Sequence, residues 1–132
     1  MKEGARGYAR NIDGYEKAIA PYSNQKEIVY LNVETIKDDL LKSYLAHEFS
    51  HLIQFNQKER KLGTPEEVWL NELRAEYAPT IMGYNSASNE NNYLRSRVRS
   101  FLNRPTASLT QWNNELYDYG IVSVFGHYLV DH

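Results

Sequence analysis

Only one segment of this chain alternates convincingly as a strand, and that limits the sheet any fold can build. From Lys26 to Glu34, Ile28, Tyr30 and Asn32 alternate with Val29, Leu31 and Val33, and β-branched and aromatic side chains dominate. That pattern suits a pleated, half-buried surface. Any sheet is therefore small, or takes its other strands from the N-terminal arm or from outside this sequence. The arm, residues 1 to 26, is polar and broken by glycines, Pro21 and the turn-like Ser23-Asn24 pair, with one helical turn expected near Tyr15 to Ala20. Later segments carry helical periodicity. We expect an α+β fold with a short sheet (edge strand about 27–33), helices over about 38–56 and 65–79, and further C-terminal helices. At 132 residues, it is expected as one domain over 1–132.

In the first helix Leu41, Leu45, Ala46, Phe49, Leu52 and Ile53 fall within one arc of about 140° at 100° per residue, an apolar face expected to meet the core. His47 and His51 lie off that arc, about 40° apart, with Glu48 some 60° further round. The second helix is announced by Thr64-Pro65-Glu66-Glu67, the pattern of a capping box with proline in the first turn. Leu70, Leu73, Tyr77 and Ile81 mark its expected buried side, and Glu72 and Glu76 share another face. Pro79 should bend or end it near Ala78, and Gly83 should terminate it. A loop rich in asparagine and serine follows over 83–92. Leu94, Val98, Phe101 and Leu102 then mark a short helix, and a last helix starts around Tyr117 to Gly120.

Composition removes several function classes. The chain has no cysteine, so disulfides, a thiol nucleophile and thiolate metal sites are excluded. Fifteen basic residues against seventeen acidic ones leave a net charge of −2, and Arg95, Arg97, Arg99 and Arg104 form the single basic stripe, so no nucleic-acid partner is expected. No stretch approaches the roughly 18 apolar residues of a membrane span, and Met1 to Gly7 leads into no apolar run of a signal peptide.

His47-Glu48-Phe49-Ser50-His51 carries the chemistry. Two histidines at i and i+4 on a rigid helix can present ring nitrogens to one ion at roughly 2.0–2.1 Å. The intervening glutamate lies on the flank where a general base can reach a water without ligating the metal. The plainer alternative is a helix with two half-buried, hydrogen-bonded histidines. A catalytic zinc takes three protein ligands and leaves one position open. His127 and His132 are distant candidates for the third. Glu72 is better placed, on a second helix that could pack beside the first, and Glu76 could accept a hydrogen bond from a ligating imidazole.

These residues resemble the gluzincin zinc metallopeptidases. Trp69-Leu70-Asn71-Glu72-Leu73-Arg74-Ala75-Glu76-Tyr77 is similar to that group's Asn-Glu pair followed four residues later by an acid. AHEFSHLIQFNQ (46–57) with WLNELRAEYA (69–78) resembles the hyicolysin-type neutral metallopeptidases of bacteria in particular. Tyr119-Gly120, followed by Phe125 and Tyr128-Leu129, resembles a later helix of those enzymes. The resemblance implies a zincin-like core, either a minimal single-domain form or an excised part of a longer protein. It implies Zn2+ on His47, His51 and Glu72, Glu76 supporting His47, and Glu48 as general base in hydrolysis of internal peptide bonds. Tyr119 is the choice for an oxyanion donor, with Tyr117 and His127 as competitors. The strand Ile28, Val29, Tyr30, Leu31, Asn32 and Val33 is expected to border the cleft and align an extended peptide or protein substrate. The resemblance further implies secretion for an excised domain, and a cytoplasmic protein where Met1 is the natural start. A second expectation, of another class, is a metal-binding structural or interaction domain of zincin fold with little or no proteolysis. Latency, with an end of the chain covering the metal, is a further expectation.

Overall fold

A computed structural model describes residues 6–85 and 92–132. Its architecture is α+β: a two-stranded antiparallel sheet and four α-helices among the described residues. The sheet pairs β1 (Gly7–Ala9) with β2 (Val29–Leu31) in the register Gly7↔Leu31, Tyr8↔Tyr30, Ala9↔Val29. Its second strand does come from the arm. The ladder is shorter than the expected 27–33 because the chain turns at Asn32. There the side-chain oxygen accepts the Glu34 backbone N–H, and Val33–Lys37 winds into a 3-10 turn. Asn32 thus acts as a cap. Tyr8 and Tyr30 stack across the pair at 4.7 Å. Asp13, fully buried, anchors the arm by accepting the Asn24 backbone N–H (3.1 Å), the Asn24 amide (2.9 Å) and the Tyr30 hydroxyl (2.7 Å). The expected helical turn near 15–20 is present, with the Ile19 and Ala20 N–H groups on the Glu16 carbonyl.

Helix α1 spans Leu41–Gln54 and continues in wider, π-helical turns through Phe55–Arg60, ending at Gly63 with φ of 64°. It starts later than the expected residue 38 because Asp38 is extended (ψ 134°) and accepts the Leu40 N–H on its carboxylate and the Leu41 N–H on its carbonyl. Helix α2 is Val68–Ile81, α3 Tyr93–Asn103 and α4 Leu116–Asp131. The stretch 86–91, within the expected loop, lies outside the described residues. The capping box expected at Thr64 does not form. The Thr64 N–H closes the preceding helix on the Lys58 carbonyl, its hydroxyl donates to Leu62, and α2 begins three residues later from Glu67. A residue before proline resists helical backbone. Pro79 does not stop α2 at Ala78, and the helix runs two residues past it to Ile81. Gly83 (φ 74°) and Tyr84 then close the end through Gly83 N–H to Thr80 and Tyr84 N–H to Pro79.

The largest departure concerns α1. Of its expected core face, Leu52 is buried, but Leu45, Phe49 and Ile53 stand 38–56% exposed. With Ala78, Met82, Tyr84 and Ile81, itself expected to be buried, they line an open apolar groove. The buried face of α1 carries Ser43, His47, Glu48, Leu52 and Gln54. Periodicity identifies faces but not which face meets a neighbour. Here α2 and β1 pack on the polar one.

The other helices stack in the order α1, α2, α4, α3. Small residues permit the close approaches. Ala75 is fully buried, and a Cβ on Gly120 would lie 2.6 Å from the Phe101 nitrogen and 2.9 Å from the Arg97 carbonyl oxygen. Both obstacles are α3 backbone. We therefore expect Gly120→Ala to separate α3 from α4 and cost about 2–3 kcal/mol, measured by denaturant unfolding. No described helix is long and apolar enough to cross a membrane.

Candidate metal centre

Helix α1 turns His47 and His51 toward α2, which presents Glu72 to both. His47 Nε2 lies 3.1 Å from His51 Nε2 and 3.3 Å from Glu72 Oε2, and His51 Nε2 lies 3.6 Å from the same oxygen. A tetrahedral zinc with ligands at about 2.0–2.1 Å separates its ligand atoms by about 3.3–3.4 Å. The observed triangle has that size. Glu72 Oε2 is buried and faces both ring nitrogens, so one carboxylate oxygen and two imidazole nitrogens converge on one point. His47, His51 and Glu72 form the one group of three such ligands that could hold a metal among the described residues.

The far ring nitrogens explain why the near ones converge. His51 Nδ1 is 2.5 Å from the Asn71 side-chain oxygen, an acceptor, so Nδ1 carries the proton. His47 Nδ1 faces Glu76 Oε1 at 3.3 Å and the Tyr93 hydroxyl at 3.1 Å. Burial opposes the His47 imidazolium, but the Glu72 and Glu76 carboxylates outweigh it and push its pKa up to about 10. Burial and the charge of His47 push His51 down. The cluster thus draws in positive charge, which a proton or a metal can supply. Glu76 is fully buried, and although burial raises its pKa, Arg97 and His47 hold it down at about 2.

Glu48 lies on the other flank, buried against β1, with the Ala9 backbone N–H on its carboxylate. Burial raises its pKa, and the nearby His47 charge opposes the rise. It borders a cleft of about 430 Å³ together with His47, Gly7, Tyr93, Arg97 and Tyr119. A second hollow, about 410 Å³, is lined by His51, Glu72, Asn71, Ala9 and Glu59. Of the sheet, β1 contributes to both hollows through Gly7 and Ala9.

The expected cleft strand is therefore misplaced. None of Ile28, Val29, Tyr30, Leu31, Asn32 and Val33 lines either hollow. They lie behind β1, with Val33 beyond the strand in the 3-10 turn. The Asn32 N–H bonds the Arg6 carbonyl, so by antiparallel alternation Tyr8 also points its backbone groups at β2. Gly7 and Ala9 point theirs outward. The Ala9 N–H takes Glu48, and the edge at Gly7 faces the cleft.

Tyr119 reaches the cleft, packed on Trp112 at 4.9 Å, and its hydroxyl donates to Asn114 at 2.9 Å. Burial and the nearby Glu72 and Glu76 carboxylates keep the phenol protonated. Its competitors point elsewhere. Tyr117 lies under the Arg104 guanidinium at 4.4 Å, and His127 bonds Thr80 and the Ser123 carbonyl. Asn71, Tyr93 and Arg97 were missed as site residues. Arg97, counted with a basic stripe, is instead committed to Glu76 at 2.8 Å. Its i,i+4 spacing from Tyr93 puts the two on one face of α3, apart from Arg95 and Arg99, but carries no sign of a partner on α2.

No family model matches this chain, and no curated protein or solved structure matches it either.

Proposed function

We propose that the chain is a zinc-dependent endopeptidase acting on extended peptide segments. The observation that carries this is the triangle of His47 Nε2, His51 Nε2 and Glu72 Oε2 beside a buried glutamate that is not part of it. Zinc held by these three residues would supply Lewis acidity toward a scissile carbonyl and acidify a water. Glu48 takes the proton of that water as the new C–O bond forms. The C–N bond then breaks, and Glu48 passes the proton to the leaving amine. Its burial, which raises its affinity for a proton, suits both steps. Tyr119 holds a phenolic proton at the cleft and donates a hydrogen bond to the developing oxyanion, its hydroxyl turning from Asn114. The outward backbone groups at Gly7 bind the peptide as an added strand. Glu76 and Asn71 orient the two imidazoles.

The test is digestion of a reduced, alkylated protein by the purified chain with equimolar Zn2+. We expect internal fragments by mass spectrometry, lost with a chelator and restored by zinc. Stoichiometric zinc with no cleavage would replace this assignment with a metal-binding structural or interaction domain. No zinc uptake would remove both.

A further inference from the structure

We propose that Tyr93 and Arg97 of α3 are positioning residues that lock the Nδ1 proton of His47 in place, keep its Nε2 turned to the cluster and so set the site's zinc affinity. This rests on the zinc assignment above. The direction of every hydrogen bond follows from counting donors. Arg97 offers only donors and does not lose its charge. Its Nε donates to Glu76 Oε2 at 2.8 Å and its Nη2 to the Tyr93 oxygen at 2.9 Å. Tyr93 has one proton, and Glu76 Oε1 at 2.7 Å takes it. The remaining lone pair of Tyr93 faces His47 Nδ1 at 3.1 Å, and Glu76 Oε1 lies 3.3 Å from the same nitrogen.

Each member of this chain is satisfied, and each fixes the next. Were the Tyr93 proton turned to His47, two oxygens 2.7 Å apart would face each other with nothing between them. Arg97 prevents relief from its side, because it fills the other Tyr93 lone pair and stacks on the ring at 4.7 Å. Tyr93 is buried and the Glu76 side chain is 0% exposed, so water does not stand in for either partner. Glu76 alone could accept from His47. What α3 adds is the order of donation and the ring's orientation.

Zn2+ affinity of the full-length chain, measured by competition with a chromogenic chelator, tests this on wild type, Tyr93→Phe, Arg97→Lys and Arg97→Met. Outer partners of a ligating histidine are worth about 10–100-fold in metal affinity. We expect about 10-fold loss for Tyr93→Phe, approaching 100-fold for Arg97→Met, with Arg97→Lys between them. A purely structural role would lower the melting temperature and leave the zinc affinity of the folded variants at the wild-type value, which overturns the proposal. The zinc-loaded wild type gives a readout that needs no variant. In 15N-labelled histidine spectra, His47 should be protonated on Nδ1 and bound through Nε2. The reverse arrangement overturns the proposal even where a variant fails to fold. Wild type that takes up no zinc overturns the underlying assignment instead.

Discussion

Glu48→Gln should abolish turnover while leaving zinc in place. Glutamine keeps the shape, and its side-chain oxygen can still accept the Ala9 backbone N–H that now meets the carboxylate. What it cannot do is take a proton. General base catalysis contributes about 10²–10⁴-fold. Because Glu48 handles the proton both in attack and in departure of the amine, the loss belongs at the upper end, in kcat. Zinc affinity by chelator competition should stay at the wild-type value, since the carboxylate lies outside the triangle of ligand atoms. The melting temperature should hold or rise, because a buried carboxylate whose charge the fold disfavours has been replaced by a neutral amide. Undiminished turnover would remove Glu48 from the mechanism.

Glu72→Gln should have the opposite signature. It removes the single anionic ligand and leaves two imidazole nitrogens facing an amide. Zinc affinity should fall by more than the roughly 100-fold upper limit for an outer partner, and activity should fall with it. Glu76→Gln provides the comparison, with an affinity loss inside the 10–100-fold range. Equal zinc affinity in wild type and Glu72→Gln would take Glu72 out of the ligand set.

Each half of the cluster was legible because its information is local. The i,i+4 spacing places His47 with His51 on one helix and Glu72 with Glu76 on another. That the two pairs meet, with Glu72 against His51 across 21 positions, is expected from the resemblance and not from any local pattern. The α+β class was legible from a single alternating segment. What stayed hidden depends on partners distant along the chain. A strand of three residues, Gly7–Ala9, has too few positions to show alternation, and it became a strand only by pairing with Val29–Leu31. The burial of α1 was inverted for the same reason. Leu45, Phe49 and Ile53 form a convincing apolar stripe, yet the neighbouring elements pack around the histidines. Tyr93 meets His47 across 46 positions, and Arg97 meets Glu76 across 21. No short-range pattern encodes such contacts. A buried Glu76 nevertheless calls for a cation, and that requirement leads to Arg97 once the carboxylate's burial is known.

The most direct test of the central claim is a crystal structure of the zinc-loaded chain with anomalous data collected at the zinc edge. It should show one strong peak per chain, bound by His47 Nε2, His51 Nε2 and a Glu72 carboxylate oxygen, with the Glu48 side chain nearby and not coordinating. A peak elsewhere, or Glu72 turned to solvent while both imidazoles bond only to protein groups, would contradict it.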